Sequence, residues 1–346
     1  MTRCVLGVLT IGALALGCSS PPSPPPPKKT KPQAAAAQSV ANAEATADTP
    51  LAAEPTTDDD WPIAKPELRR VDAVPDAVVL EDSGAEPKAA LRFTPKRDAT
   101  RRVALTMAMQ VAMKLGDKPI DPSTLPTVFV AMDVTPKAEV EGATPYAIAV
   151  TSASRQELEG TSERLKKAMD TAIEGMKDGS ASLTIDAQGR QVSADYGLPE
   201  VSTPGLRPSL AGFQQSFSQL FVIFPEEPVG VGARWKSTAH YEHSGIPIEQ
   251  RSTYTLEQRD KDTLTLAVEF EQSATGTTES PAGVALEDTR FGGRGTGTLT
   301  VRLDSPFPVA AEAKSRSRVS SSVTMGGQAQ PVEMDLLSTL SIATRK

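Results

Sequence analysis

The chain has 346 residues, a formal net charge of -7 and only 4% aromatic residues. That balance lacks the basic footprint and the stacking rings that nucleic-acid binding requires, so nucleic acid is excluded as a partner. Two cysteines, Cys4 and Cys18, are the whole sulfhydryl inventory.

The first element is an apolar run from Val5 to Leu16, preceded by Arg3. It is shorter than the roughly 20 residues a helix needs to cross a bilayer, and it reads as the hydrophobic region of an export signal. The run ends in Leu14-Ala15-Leu16-Gly17-Cys18, which resembles the bacterial lipobox, with Ala15 where leucine is commoner. The resemblance implies cleavage after Gly17, a diacylglyceryl group on the Cys18 sulfur and an acylated N-terminus on Cys18. Cys4 would leave with the signal, so the mature chain would hold one cysteine and no internal disulfide. The implied address is the cell envelope, with a lipid anchor in a membrane, the outer membrane first. Several acyl chains would be needed, because each buried CH₂ contributes only about 0.8 kcal/mol.

From Cys18 to about Glu86 the sequence offers no core. PPSPPPPKKTKP favours extended polyproline II, AAAAQSVANAEATA is small and polar, and Asp58-Asp59-Asp60 adds charge. Such a stretch reads as a disordered tether. Lys28, Lys29 and Lys31 read as solvated linker charge, and Trp61 as an isolated linker aromatic. The organisation expected is therefore a signal over 1–17, a tether over 18–86 and a β-rich globular domain over 87–346. Two similar halves, about 87–205 and 206–346, are suggested by the matching strand-turn-strand segments SASLTIDAQGRQVSADY and TGTLTVRLDSPFPVAAEA.

Within the domain, Val103 to Leu115 places Val, Leu or Met at every odd position and Ala, Thr, Gln or Lys at every even one. Period two predicts a strand, although Met and Ala favour helix intrinsically. Further strands are expected at Thr127–Val134 and Pro145–Thr151. A helix is expected from about Ser154 to Met176, where Leu158, Leu165, Met169, Ala172, Ile173 and Met176 share a stripe, with Gly179 as its stop. Strands follow at Ser182–Asp186 and after the Gln188-Gly189 turn. A second helix is expected from about Pro208 to Phe221, carrying Leu210, Phe213, Phe217, Leu220 and Phe221 on one face. Beyond Trp235 the chain reads as nearly all β, with a hairpin around Arg259–Asp262, a strand at Gly295–Leu303, a return near Ala310–Thr324 and a last strand ending at Ala343. The fold class expected is mainly β (α+β): a strongly curved antiparallel sheet, or an open β-barrel or half-barrel, with two helices.

The segment Phe224-Pro-Glu-Glu-Pro-Val-Gly-Val-Gly-Ala-Arg-Trp235 resembles an uncharacterised bacterial envelope family with the signature P-x-x-P-V-x-V-G-x-x-W, running here from Pro225 to Trp235. Ala233-Arg234 stands where that family often carries an acidic residue and Ser. The resemblance extends from about Leu91 to the C-terminus and implies fold and compartment, with no activity attached. The motif itself reads as structural. Pro225 and Pro228 fix an extended crossing, Gly230 and Gly232 permit close backbone approach, and Trp235 plugs the core at a strand start.

No chemistry-bearing constellation follows. His240 and His243 are spaced H-x-x-H around Glu242, but positions three apart on a strand point to opposite faces, so shared metal ligation is not expected. A hydrolase built on either histidine is the weakest of the functional readings. Gly292-Gly293-Arg294-Gly295-Thr296-Gly297 lacks the following helix of a phosphate site and reads as a hairpin loop. Glu226-Glu227 and Glu287-Asp288 read as solvated charges. No cofactor, metal or catalytic residue is expected. Two readings of function remain: a non-enzymatic binding module for an apolar or amphiphilic ligand, and a structural or interaction lipoprotein displaying its domain to envelope partners. The first rests on the Met-rich strand facing the aromatic helix; the bland alternative is that both surfaces form a dry core.

Overall fold

The computed structural model describes residues 77–177, 179–197, 221–243, 246–279, 285–325 and 328–345. They lie within one compact unit. The signal, Cys18, Trp61 and most of the spacer lie outside the described residues, as does the helix expected at Pro208–Phe221 except for Phe221 itself.

The protein is mainly β, built on one large antiparallel sheet that is not closed. Its strands in chain order are β1 (Ala77–Asp82), β2 (Arg101–Leu115), β3 (Lys118–Pro136), β4 (Ala143–Arg155), β5 (Ser180–Asp186), β6 (Gln191–Gly197), β7 (Arg234–His243), β8 (Ile246–Asp260), β9 (Thr263–Glu279), β10 (Ala285–Arg302), β11 (Ser305–Met325) and β12 (Gln328–Arg345). In space they run β1-β7-β8-β9-β10-β11-β12-β2-β3-β4-β5-β6. Two meanders, β2–β6 and β7–β12, are thus fused by the β12–β2 ladder, from Val332 opposite Leu115 to Arg345 opposite Arg102. The expected boundary near residue 206 falls between the meanders, yet they share one sheet, so the halves are not separate domains.

Period two decided β2 correctly. Val103, Leu105, Met107 and Met109 are buried, while Ala104, Thr106 and Ala108 between them are partly exposed. They face Val128, Val130 and Met132 of β3 and Leu336 and Ile342 of β12 in the larger of two apolar clusters. Met132 and Leu183 are 0% exposed there, each contributing about 1.5–3 kcal/mol by burial. The single helix among the described residues, α1 (Glu163–Met176), lays Met169 and Ile173 into the same cluster.

Three expectations need correction. The helix does not start at Ser154, which is inside β4; it starts after Ser162, whose hydroxyl accepts from the Leu165 N–H. Gly160 at φ +80° breaks the chain between the two elements, so Leu158 matches the helical stripe without joining it. The spacer does not run to Glu86: β1 pairs with β7 through Ala77 opposite Thr238, so the folded region begins upstream of residue 87. The glycine cluster is no loop: Gly292 to Gly297 lie inside β10. An ideal Cβ at Gly295 would come within 2.3 Å of the Phe270 ring, so the missing side chain there is what lets the ring lie across the neighbouring strand.

A second cluster fills one end of the sheet. Leu91, Phe93, Val222, Phe224 and Val229, from the segments before β2 and β7, pack on Trp235, Tyr254, Leu256 and Leu264. The two segments bridge to each other where Ala89 and Val229 exchange both backbone bonds at 3.0 Å. They also reach the β5–β6 turn, through Phe93 N–H to the Ala187 carbonyl (2.7 Å) and Phe224 N–H to the Gln188 carbonyl (2.8 Å).

Candidate functional site

The Pro225–Trp235 motif belongs to this second cluster. Trp235 is 0% exposed, donates its indole N–H to the Ile223 carbonyl at 2.9 Å and stacks on Tyr254 with ring centroids 5.5 Å apart. Burial pushes the Tyr254 phenol above its ordinary range, against hydrogen bonds with Ser252 and Ser237. Gly230 permits close backbone approach as expected, since a Cβ there would meet the Ala85 carbonyl oxygen. Gly232 does not: nothing lies within 4 Å of its Cβ position, and its φ of +87° is what calls for glycine.

The inner face is the surface on which both clusters lie. Along β2 it is apolar from Val103 to Leu115, buried from Val103 to Met109 and half-buried at Val111, Met113 and Leu115. Phe221 sits edge-to-face on Phe307 at 4.9 Å within the larger cluster. It is the one described residue of the expected aromatic helix. Where that face crosses β8 to β11 at mid-height it becomes polar. Gln272 donates to the Gln250 carbonyl oxygen at 2.7 Å, and Gln250 donates to the Ser252 hydroxyl at 3.2 Å. No signal in the sequence marked these glutamines, because an isolated Gln in an alternating strand is ordinary on either face.

The histidine pair resolves differently from a metal site. β7 runs against β8 without a bulge from Arg234 to His243, so positions 240 and 243 fall on opposite faces. His240 does have an acid neighbour: its Nε2 lies 3.7 Å from Glu249, which is 1% exposed and also receives Arg251 Nε at 2.9 Å. Ser273, 0% exposed, lies opposite Glu249 on the far side. The row therefore reads His240–Glu249–Ser273, with the carboxylate in the middle. His240 and Ser273 are two strand spacings apart, about 9.6 Å, whereas a triad puts the base between acid and nucleophile. Among the described residues no group of three or more His, Cys, Asp or Glu side chains could hold a metal ion. Glu226, Glu227, Glu287 and Asp288 are exposed, as expected of solvated charges.

A further polar cluster is at the β10–β11 turn. Asp304 accepts from Arg302 at 3.1 and 3.0 Å and from Arg101 at 2.5 Å. Burial pushes its carboxyl up, but the hydrogen bond of Arg302 and the charges of Arg101 and Arg302 outweigh that and hold it below the usual carboxylate range. Tyr146, close by, is raised by burial. The arrangement locks the turn.

These features define an open antiparallel β-sheet protein with an apolar, partly polar inner face. A family of unknown function (DUF6263) matches residues 209–307, a span that takes in the Pro225–Trp235 motif and strands β7 to β10. No curated protein matches the chain in sequence. Among solved structures it is similar to Pseudomonas aeruginosa OccK11 (OpdR), with 4% identity, 74% of this chain and 100% of that one covered, and a TM-score of 0.21. Acinetobacter baumannii OccAB2 gives 6% identity, 72% and 99% coverage and a TM-score of 0.20. Likenesses at that level carry no argument about shape or activity. Among the described residues no helix is long and apolar enough to cross a membrane.

Proposed function

We propose that the chain is a lipid-anchored protein of the bacterial envelope whose β domain binds an apolar or amphiphilic ligand without catalysing a reaction. The observation that carries the binding half is the inner face of β2. From Val103 to Leu115 it is apolar, rich in methionine, buried at one end and half-buried at the other, within a sheet that is not closed. Methionine suits such a role because its unbranched thioether adapts to ligands of varied shape. The anchor half rests on Leu14 to Cys18 and their resemblance to the lipobox, with the outer membrane as the address.

Mass spectrometry of the protein purified from its native membrane tests both halves. The expected result is an acylated N-terminal Cys18 and a co-purifying lipid. Protein that carries no extractable lipid sinks the binding reading, and a Cys18→Ala variant that still takes up a fatty-acid probe sinks the anchor. A structural or interaction role, displaying the domain to an envelope partner, is the second reading. It draws support from Met107, Met109 and Met132, all at most 8% exposed, which behave as ordinary core side chains. Crosslinking in intact cells that recovers one reproducible partner, from protein without bound lipid, would favour it.

A further inference from the structure

We propose that the amphiphile bound by the inner face has an uncharged, hydrogen-bonding head group; this rests on the binding reading above. Two adjacent cross-strand rows carry the inference. In the first, Gln250, Gln272, Gly293 and Ser317 of β8 to β11 lead into Leu336 of β12 and Val111 of β2. In the second, Ser252, Phe270, Gly295, Ser315 and Ser338 lead into Met109. The first row thus passes from two amides and a hydroxyl to apolar side chains, the second carries hydroxyls on either side of Phe270 before it reaches Met109, and neither holds a charged residue. The charges of these strands alternate onto the other face, where Arg251, Glu271 and Arg294 lie.

The polar end is preformed. Glycines at 293 and 295 let neighbouring side chains close over β10: a Cβ at Gly293 would stand 3.1 Å from the Gln272 amide oxygen and 3.2 Å from both the Phe291 ring and the Ser317 hydroxyl, and the Phe270 ring covers Gly295. Gln250 accepts from Gln272 and donates to Ser252. A primary amide has two donors and two acceptor lone pairs, so among the described residues these bonds leave Gln250 one of each. Gln250, Ser315 and Ser338 are half-buried, while Gln272 is 4% exposed. A glycerol, ester or amide head finds both donors and acceptors there, with its chain along Met109, Val111 and Leu336. An ionised head would be desolvated there without a counter-charge.

Calorimetric titration of the full chain with 1-oleoylglycerol and with 1-oleoylglycerol phosphate separates the cases, because the probes differ only in the phosphate. The uncharged probe is expected to bind at least roughly tenfold more tightly, since about 1.4 kcal/mol of uncompensated charge gives that factor. Gln272→Leu and the half-buried Gln250→Leu are each expected to weaken it about fivefold or more, the worth of one or two neutral hydrogen bonds. Urea unfolding verifies that each variant is folded. Equal affinity for both probes, or full affinity in both variants, overturns the head-group inference and leaves the binding reading standing. Failure of both probes to bind overturns the binding reading and this inference with it.

Discussion

Replacing Gly230 and Gly232 separately with alanine probes the packing of the motif, because the two positions differ in why they need glycine. At Gly230 the added Cβ would lie 1.7 Å from the Ala85 carbonyl oxygen and 2.9 Å from its carbon. Both obstacles are backbone, so the segments must separate by about 1.5 Å to restore an ordinary carbon–oxygen contact near 3.3 Å. That shift strains the bonds that pin the segments together: Gly230 N–H to the Ser83 carbonyl (2.9 Å), Ala85 N–H to the Val231 carbonyl (2.8 Å) and the Ala89–Val229 pair. Two or three such bonds at about 1 kcal/mol each, with loosened packing of Val229 and Phe224, put the cost at about 3–5 kcal/mol. At Gly232 the Cβ meets nothing within 4 Å, and only φ +87° resists the substitution, for a cost of about 1–2 kcal/mol. Urea unfolding followed by tryptophan fluorescence measures both, because Trp235 is buried beside the contact. A Gly230→Ala variant within 1 kcal/mol of the parent on this roughly 1–5 kcal/mol scale, or no more damaged than Gly232→Ala, would refute the reasoning.

Other positions give sharper local tests. Asp304 is held below its unfolded pKa, so its pairing with Arg101 and Arg302 is fully present above about pH 4 and is lost as pH falls through the folded value. Asp304→Asn should flatten the acid limb of a stability-versus-pH curve and cost about 2 kcal/mol at neutral pH; an unchanged acid limb counts against the assignment. Trp235→Phe keeps a ring against Tyr254 but strands the Ile223 carbonyl, so thermal unfolding should report a loss of about 1–3 kcal/mol. Ser162→Ala removes the cap that accepts from Leu165 and should cost about 1 kcal/mol, whereas Ser162→Asp should be nearly neutral. A neutral alanine at 162 would mean that α1 is held by its packing on β4 alone.

How much of the fold was legible depends on the range of the forces involved. Val103 to Leu115 declared a strand against the helical leaning of Met and Ala, because alternation is enforced residue by residue along the pleat. The β5–β6 and β8–β9 turns were likewise visible, at Gln188-Gly189 and Asp260–Asp262, since turn chemistry is local. The start of α1 was misplaced because Leu158 fits the helical stripe by spacing, and only the φ of Gly160 and the Ser162 cap say where the helix begins. Strand β1 hid in a stretch of low hydrophobicity, since its pairing with β7 is supplied by a segment more than 150 residues away.

The candidate site divides along the same line. Sequence by itself marked the apolar wall of β2, the core role of Trp235 and the separation of His240 from His243, all consequences of a two-residue period. Tertiary structure alone decided that Gln250, Gln272 and Ser317 share a row with Leu336 and Val111, and that Glu249 stands between His240 and Ser273. Register across six strands sets those neighbours, and register is fixed by pairing between distant segments. It decided the glycine cluster too: whether Gly295 is a loop residue or a floor for Phe270 depends on which side chain the next strand brings over it. A pattern along one strand carries no information about its partner's phase, so the chemistry of the inner face appears only once the strands are laid side by side.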